Sequence, residues 1–290
     1  MLTSSGLIVP GLSSLRDDYD AILCDVWGVI HNGVAVFDEA AEALSTFRRE
    51  MGGTVILITN APRPYEPILV QLDNLGFPKD AYDAVVTSGD VTAELLKAEG
   101  HKAVYHIGPE RDQSLFDELE MARVSPEESD TIVCTGLFDD GTETPDDYRE
   151  SLASMAGRGM RMICANPDIV VERGTTMLYC AGALAEVYDE LGGEAVRLGK
   201  PYSPIYKLAR ARVAETRQTA IEDDRILAIG DGMFTDIKGA GEAGFDALFI
   251  TGGIHSADFG PVEDPDPEAV AHRLRTEGLT ARAAIPKLRW

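Results

Sequence analysis

Short, unbroken apolar runs alternate with helical patterns along almost the whole chain, and few folds accept that rhythm. The runs lie at 21–25, 54–59, 84–87, 103–107, 131–135, 161–165, 225–230 and 246–251. Each is rich in aliphatic or β-branched residues and bounded by Gly, Asp or Pro. Continuous apolar runs of this length suit strands buried on both faces, as in parallel sheets. Helical patterns fill the gaps. Asp38 to Glu50 starts on an Asp that we expect to cap it and ends before Gly52-Gly53. Pro64 to Leu75 carries proline near its start and Gly76 just past its end. Pro145 to Ala156, Tyr179 to Leu191, Pro204 to Arg217, Thr235 to Ala243 and Pro267 to Glu277 follow the same style. Such alternation predicts an α/β protein with a doubly wound parallel sheet and right-handed crossovers.

A chain of 290 residues exceeds one simple core and suits about two domains. No apolar run approaches the ~20 residues that a membrane helix needs. Met1 to Pro10 lacks a basic stretch followed by an apolar one, so no export signal is expected. Cys24, Cys134, Cys164 and Cys180 sit in or beside apolar runs without metal-like spacing, and read as buried small hydrophobes in a reducing, cytoplasmic setting. The formal net charge of −23 argues against a nucleic-acid partner, which calls for a basic surface. It also repels anionic substrates, so a local cation or metal must attract them.

Open parallel sheets form their sites outside the carboxyl ends of the strands. The polar residues found there are Asp25, Thr59-Asn60, Thr87-Ser88, Asn166-Pro167-Asp168, Lys200 and Asp231. Several fit one chemistry. A carboxylate such as Asp25 can attack phosphorus and form an aspartyl phosphate. The Thr59 hydroxyl and backbone amides at a helix start can hold phosphoryl oxygens. Lys200 can neutralise charge on the nucleophile and the transferring group. Carboxylates with a carbonyl and waters make an octahedral Mg2+ site. Metal and lysine together supply the electrostatic stabilisation that dominates phosphoryl transfer.

In order, Asp25-Val26-Trp27-Gly28-Val29, Ile58-Thr59-Asn60, Gly199-Lys200-Pro201 and Gly230-Asp231…Asp236 resemble the four motifs of the haloacid dehalogenase (HAD) superfamily. Thr59-Asn60, Gly199-Lys200-Pro201, Ala165-Asn166-Pro167-Asp168 and Gly182-Ala183-Leu184 are similar to its class IIA, the NagD and p-nitrophenylphosphatase group. The resemblance implies a HAD-like, Rossmann-like core with an inserted α/β class II cap domain. It implies a Mg2+-dependent phosphoric monoester hydrolase acting on a small phosphorylated metabolite, sugar- or nucleotide-like. Asp25 is then the nucleophile, Thr59, Asn60 and Lys200 hold the phosphoryl group, and Asp25, Asp231 and the Trp27 carbonyl bind the metal. Asp236 orients Lys200 or the metal waters. Asn166 and Asp168 contact the leaving group or hinge the cap, or else simply form a turn. Caps of this group can also mediate homodimers.

Spacing agrees with an insertion. Asp25 to Thr59 spans 34 residues and Lys200 to Asp231 spans 31, each about one βα unit. Thr59 to Lys200 spans 141. We expect a core from 1–88 and 191–290 and a cap at 89–190.

The first motif departs from the family. Most HAD phosphatases place a second acid two residues after the nucleophile, where it protonates the leaving group and then activates water. Trp27 keeps the backbone carbonyl and loses the acid, which removes about 10²–10⁴ in rate unless something replaces it. Its side chain is expected on the same side of the backbone as Asp25, bordering the pocket. The outcomes are hydrolysis with a substitute acid such as His31, slow turnover of the aspartyl phosphate, or phosphometabolite binding without useful catalysis. Haloacid dehalogenases carry an aromatic residue here and use no metal. The Asp231 and Asp236 pair argues against that branch.

Overall fold

The computed structural model describes residues 6–290 other than 118 and 175. In chain order, β1 (Ala21–Asp25), α1 (Asp38–Met51), β2 (Thr54–Thr59), α2 (Tyr65–Leu75), β3 (Ala84–Thr87) and α3 (Ser88–Glu99) come first. Next are β4 (Ala103–Ile107), β5 (Ala122–Arg123), β6 (Thr131–Cys134), α4 (Arg149–Gly157) and β7 (Arg161–Cys164). Then follow β8 (Val170–Arg173), β9 (Thr176–Tyr179), α5 (Ala181–Glu190) and β10 (Glu194–Arg197). The last group is α6 (Ser203–Arg217), β11 (Ile226–Gly230), α7 (Lys238–Ala243), β12 (Asp246–Ile250), α8 (Pro267–Thr276) and β13 (Ala283–Ile285).

The chain forms two compact units. One runs to Thr59, takes in Leu69–Val86 and ends with Tyr206–Trp290; the other holds Asn60–Ile68 and Thr87–Ile205. The first sheet has the order β13-β12-β11-β1-β2-β3. β1 pairs in parallel with both β2 and β11, β11 with β12, and β12 with β13. From β1 the chain moves outward to β2 and β3, then resumes on the opposite side of β1 at β11. The order therefore reverses beside β1, and the crevice at such a switch point is where parallel sheets bind ligands. All five residues of β1 and all six of β2 are buried, as their unbroken apolar character requires.

The second sheet, β10-β7-β6-β4-β5, is parallel throughout. Its core joins Ile132 and Met162 from the strands to Leu152 of α4 and Leu184 and Tyr188 of α5, all fully buried. Burying one such side chain stabilises by about 1.5–3 kcal/mol. The Tyr188 hydroxyl donates to the Met160 carbonyl at 2.6 Å, so its polar end is satisfied inside that core. β8 and β9 form an antiparallel hairpin.

Every apolar run singled out above is a strand. Helix starts differ more. Phe37, not Asp38, occupies the cap position of α1 and makes no side-chain cap bond. Asp38 instead lies in the first turn, where it favours the positive end of the helix dipole. Gly52 ends α1 in the left-handed conformation at φ 60°, which suits a residue without Cβ. Tyr179 ends β9 and Cys180 caps α5, so that helix begins later than its sequence pattern indicates. Met233–Ile237 is one π-type turn ahead of α7. α3 was not foreseen although Thr87-Ser88-Gly89-Asp90 is a capping box: Thr87 Oγ1 accepts the Asp90 N–H and Asp90 accepts the Thr87 N–H, each at 2.9 Å. All four cysteines are free and buried. Among the described residues, no helix is long and apolar enough to cross a membrane.

Candidate functional site

Two groups of predicted residues form, one in each unit. In the first unit, Asp25 closes β1 and Asp231 follows β11. Because these strands pair in parallel with Cys24 opposite Ile229, both acids leave the sheet at the same edge. Asp236, from the turn before α7, joins them. One oxygen from each of the three buried carboxylates lies within 4.8 Å of the others. Among the described residues this is the one such cluster of metal-ligating side chains.

Backbone N–H groups orient each acid. Val26 donates to Asp25 Oδ1 at 2.7 Å, Ile254 to Asp231 Oδ2 at 2.9 Å, and Gly232 to Asp236 Oδ2 at 3.0 Å. Two glycines admit Asp231. A Cβ on Gly28, whose φ is +82°, would lie 2.3 Å from Asp231 Oδ2, and one on Gly253 would lie 2.0 Å from it. Three like charges held this closely repel strongly in a buried setting. A hard divalent cation taking oxygen ligands offsets that repulsion, so the donor set fits Mg2+. Thr59 ends β2, one residue beyond the pairing of Ile58 with Asp25, and its side chain is buried.

Trp27 is half-buried in a tight loop closed by bonds from Gly28 N–H to the His31 carbonyl (2.8 Å) and from Ile30 N–H to the Val26 carbonyl (3.0 Å). A Cβ on Gly33 would lie 2.3 Å from the indole, so the ring rests directly on that α-carbon. The indole also meets His31, edge-on with centroids 5.1 Å apart.

His31 is the candidate substitute acid, and its surroundings oppose that role. It is fully buried, and Nδ1 accepts the Gly33 N–H at 2.9 Å, which leaves the proton on Nε2. Loss of solvation pushes its pKa from 6.5 down to about 4. A neutral, enclosed imidazole is a poor acid at pH 7. It has a stability consequence instead. The unfolded chain takes up this proton near pH 6.5 and the folded chain only near 4. The contribution is therefore full above the unfolded value and lost as pH falls through the window between them. At pH 5 the loss amounts to about 2 kcal/mol. His31→Asn keeps an acceptor and removes the titration, so the variant should lose less stability than the wild type between pH 7 and pH 5 in denaturant unfolding. Equal slopes would rule out the neutral buried imidazole.

In the second unit, Asn60, Lys200 and Asp168 come together. Asn60 Oδ1 accepts the Lys200 N–H at 2.6 Å. Asn60 Nδ2 donates to the Lys200 carbonyl at 3.1 Å and to Asp168 Oδ1 at 2.8 Å. A Cβ on Gly199 would lie 2.3 Å from Asn60 Oδ1, which explains the glycine before Lys200. Asn166 Oδ1 accepts the Asp168 N–H at 3.1 Å and so shapes the turn after β7. Asn60 and Lys200 are both buried.

Sequence reasoning missed the segment Gly252-Gly253-Ile254-His255 after β12. It holds Asp231 through Ile254, and His255 Nε2 accepts the Met233 N–H at 3.3 Å. The one available signal was a glycine pair directly after a buried strand.

The sequence matches a family described as haloacid dehalogenase-like hydrolase over residues 22–122, and one described as HAD-hydrolase-like over 197–276. The structure resembles that of a haloacid dehalogenase-like hydrolase from Brucella suis 1330, with 46% identity and a TM-score of 0.87, covering 97% of this chain and 100% of that one. The chain is 28% identical over 275 residues to the D-glycerol 3-phosphate phosphatase of Mycobacterium tuberculosis (91% of this chain, 72% of the relative). It is also 28% identical over 246 residues to the ribonucleotide monophosphatase NagD of Escherichia coli K12 (82% of this chain, 89% of the relative).

Proposed function

Since the chain belongs to the haloacid dehalogenase-like hydrolases, we propose that it hydrolyses phosphate monoesters of small metabolites, sugar- or nucleotide-like, through an aspartyl phosphate on Asp25. The observation that carries this reading is the buried cluster of Asp25, Asp231 and Asp236 at the carboxyl ends of β1 and β11. A dehalogenase that works without metal has no use for three such acids. The names of the curated relatives, phosphatases of glycerol phosphate and of ribonucleotides, favour the same chemistry.

The Asp25 carboxylate attacks phosphorus as the ester oxygen leaves, and water then attacks the acyl phosphate and frees phosphate. Thr59 through its hydroxyl, Asn60 through its main-chain N–H, and Lys200 through its ammonium hold the phosphoryl oxygens. Asp25, Asp231 and the Trp27 carbonyl would hold Mg2+, which supplies charge neutralisation for the transferring group. Asp236 keeps the loop after β11 in place through its bond from Gly232. The inserted segment, placed at 89–190, is the natural source of substrate selectivity as a class II cap.

With indole at position 27, no side chain there delivers a proton to the leaving oxygen. Esters of acidic alcohols should therefore turn over fastest. A panel of aryl and alkyl phosphates with Mg2+ tests this: p-nitrophenyl phosphate should exceed simple alkyl esters by about 10²-fold or more, and chelation should remove the activity. A second reading, phosphometabolite binding without useful catalysis, draws on the same Trp27. Binding of several esters with no turnover of any would establish it in place of the first.

A further inference from the structure

The Asn60 carboxamide has both its polar ends engaged. Its oxygen takes the Lys200 N–H at 2.6 Å, and its nitrogen serves the Lys200 carbonyl at 3.1 Å and Asp168 Oδ1 at 2.8 Å. An amide has one acceptor oxygen and two N–H donors, so these partners use both N–H groups. The group is buried, and the two residues it links are 140 positions apart. A side chain that pairs with both the N–H and the carbonyl of one residue fixes that peptide in position and in rotation. Asp168 then fixes the amide itself: a carboxylate can only accept, so Nδ2 must face it and Oδ1 must face Lys200.

We infer that Asn60 and Asp168 are positioning residues that set the Lys200 main chain, and that the Asn60 side chain is not a ligand of the phosphoryl group. Asp168 lies two residues ahead of β8, so the root of the β8–β9 hairpin is tied to Lys200 through one carboxamide. The inference deepens the phosphatase reading and rests on it for the role of the Lys200 ammonium. The pairing itself is independent of that reading.

Two measurements test it. The first is a kinetic cycle of Asn60→Ala, Lys200→Met and the double variant on p-nitrophenyl phosphate. If Asn60 acts through Lys200, Asn60→Ala lowers kcat at least tenfold with KM within about threefold, and the double variant matches Lys200→Met within about threefold. Asp168→Ala should copy Asn60→Ala, whereas Asp168→Asn, whose carbonyl can still accept from Nδ2, should restore most of kcat. Multiplying losses in the double variant, or a weakened inhibition constant for inorganic phosphate with kcat intact, would overturn the inference and make Asn60 a phosphate ligand. The second measurement needs no activity. Hydrogen exchange at the Lys200 amide should accelerate at least tenfold in Asn60→Ala, and unchanged exchange would refute the pairing. If the wild type hydrolyses no ester, the phosphatase reading fails and exchange alone decides. Should Asn60→Ala not fold, the Asp168 pair carries both measurements.

Discussion

Trp27→Asp should raise kcat on alkyl phosphates by about 10²–10⁴-fold, the range that general acid–base catalysis contributes. The new carboxyl group would stand two residues beyond Asp25, in the tight loop that follows β1. Gain should be smallest for p-nitrophenyl phosphate, whose leaving group needs no proton. The substitution also removes an indole that rests on Gly33 and meets His31 edge-on at 5.1 Å. Trp27 is half-buried, so the loss of packing should cost up to about 3 kcal/mol, and activity must be read well below the unfolding midpoint. A fall in kcat on every ester, with the fold intact, would mean that the indole itself recognises substrate.

Asp25→Asn should reduce turnover at least about 10⁴-fold on every ester, because an amide is no nucleophile and no other group in the motif can replace it. A second readout separates loss of chemistry from loss of fold. The wild-type cluster holds three carboxylates with oxygens within 4.8 Å. Removing one charge relieves repulsion, so in a chelator the variant should unfold at a higher temperature than the wild type. Sites built for chemistry commonly carry such a stability cost. Residual turnover above about 1% would move the nucleophile elsewhere.

Much of the architecture was legible because burial on both faces leaves a local mark. β1, β2 and β11 are apolar runs buried along their whole length. What escaped lacks that mark. β10 is Glu194-Ala195-Val196-Arg197 at the sheet edge, where two of four residues can be charged. β8 and β9 pair with each other as an antiparallel hairpin and most of β9 is exposed, so burial on both faces does not mark them. α3 was hidden because Thr87-Ser88 looked like a strand end, which it also is.

In the first unit, the acids Asp25 and Asp231 could be read from strand ends, since an open parallel sheet directs those ends to one edge. That reasoning assigns a residue to an edge and not to a partner. His31 looked available as an acid until its Gly33 bond and full burial were seen. The partners of the Asn60 side chain could not be read from its strand-end position: its carboxamide pairs with the Lys200 backbone.

The sequence by itself determined the parallel α/β architecture, the order of the four motifs and the absence of an acid at position 27, because periodicity and spacing are local properties of the chain. Tertiary structure alone decided which polar atoms meet: Asp236 with Asp25 and Asp231, Ile254 with Asp231, and Asn60 with Lys200 and Asp168. Hydrogen-bond partners separated by tens to more than a hundred residues depend on how the finished sheets bring loops together. No local pattern encodes that choice.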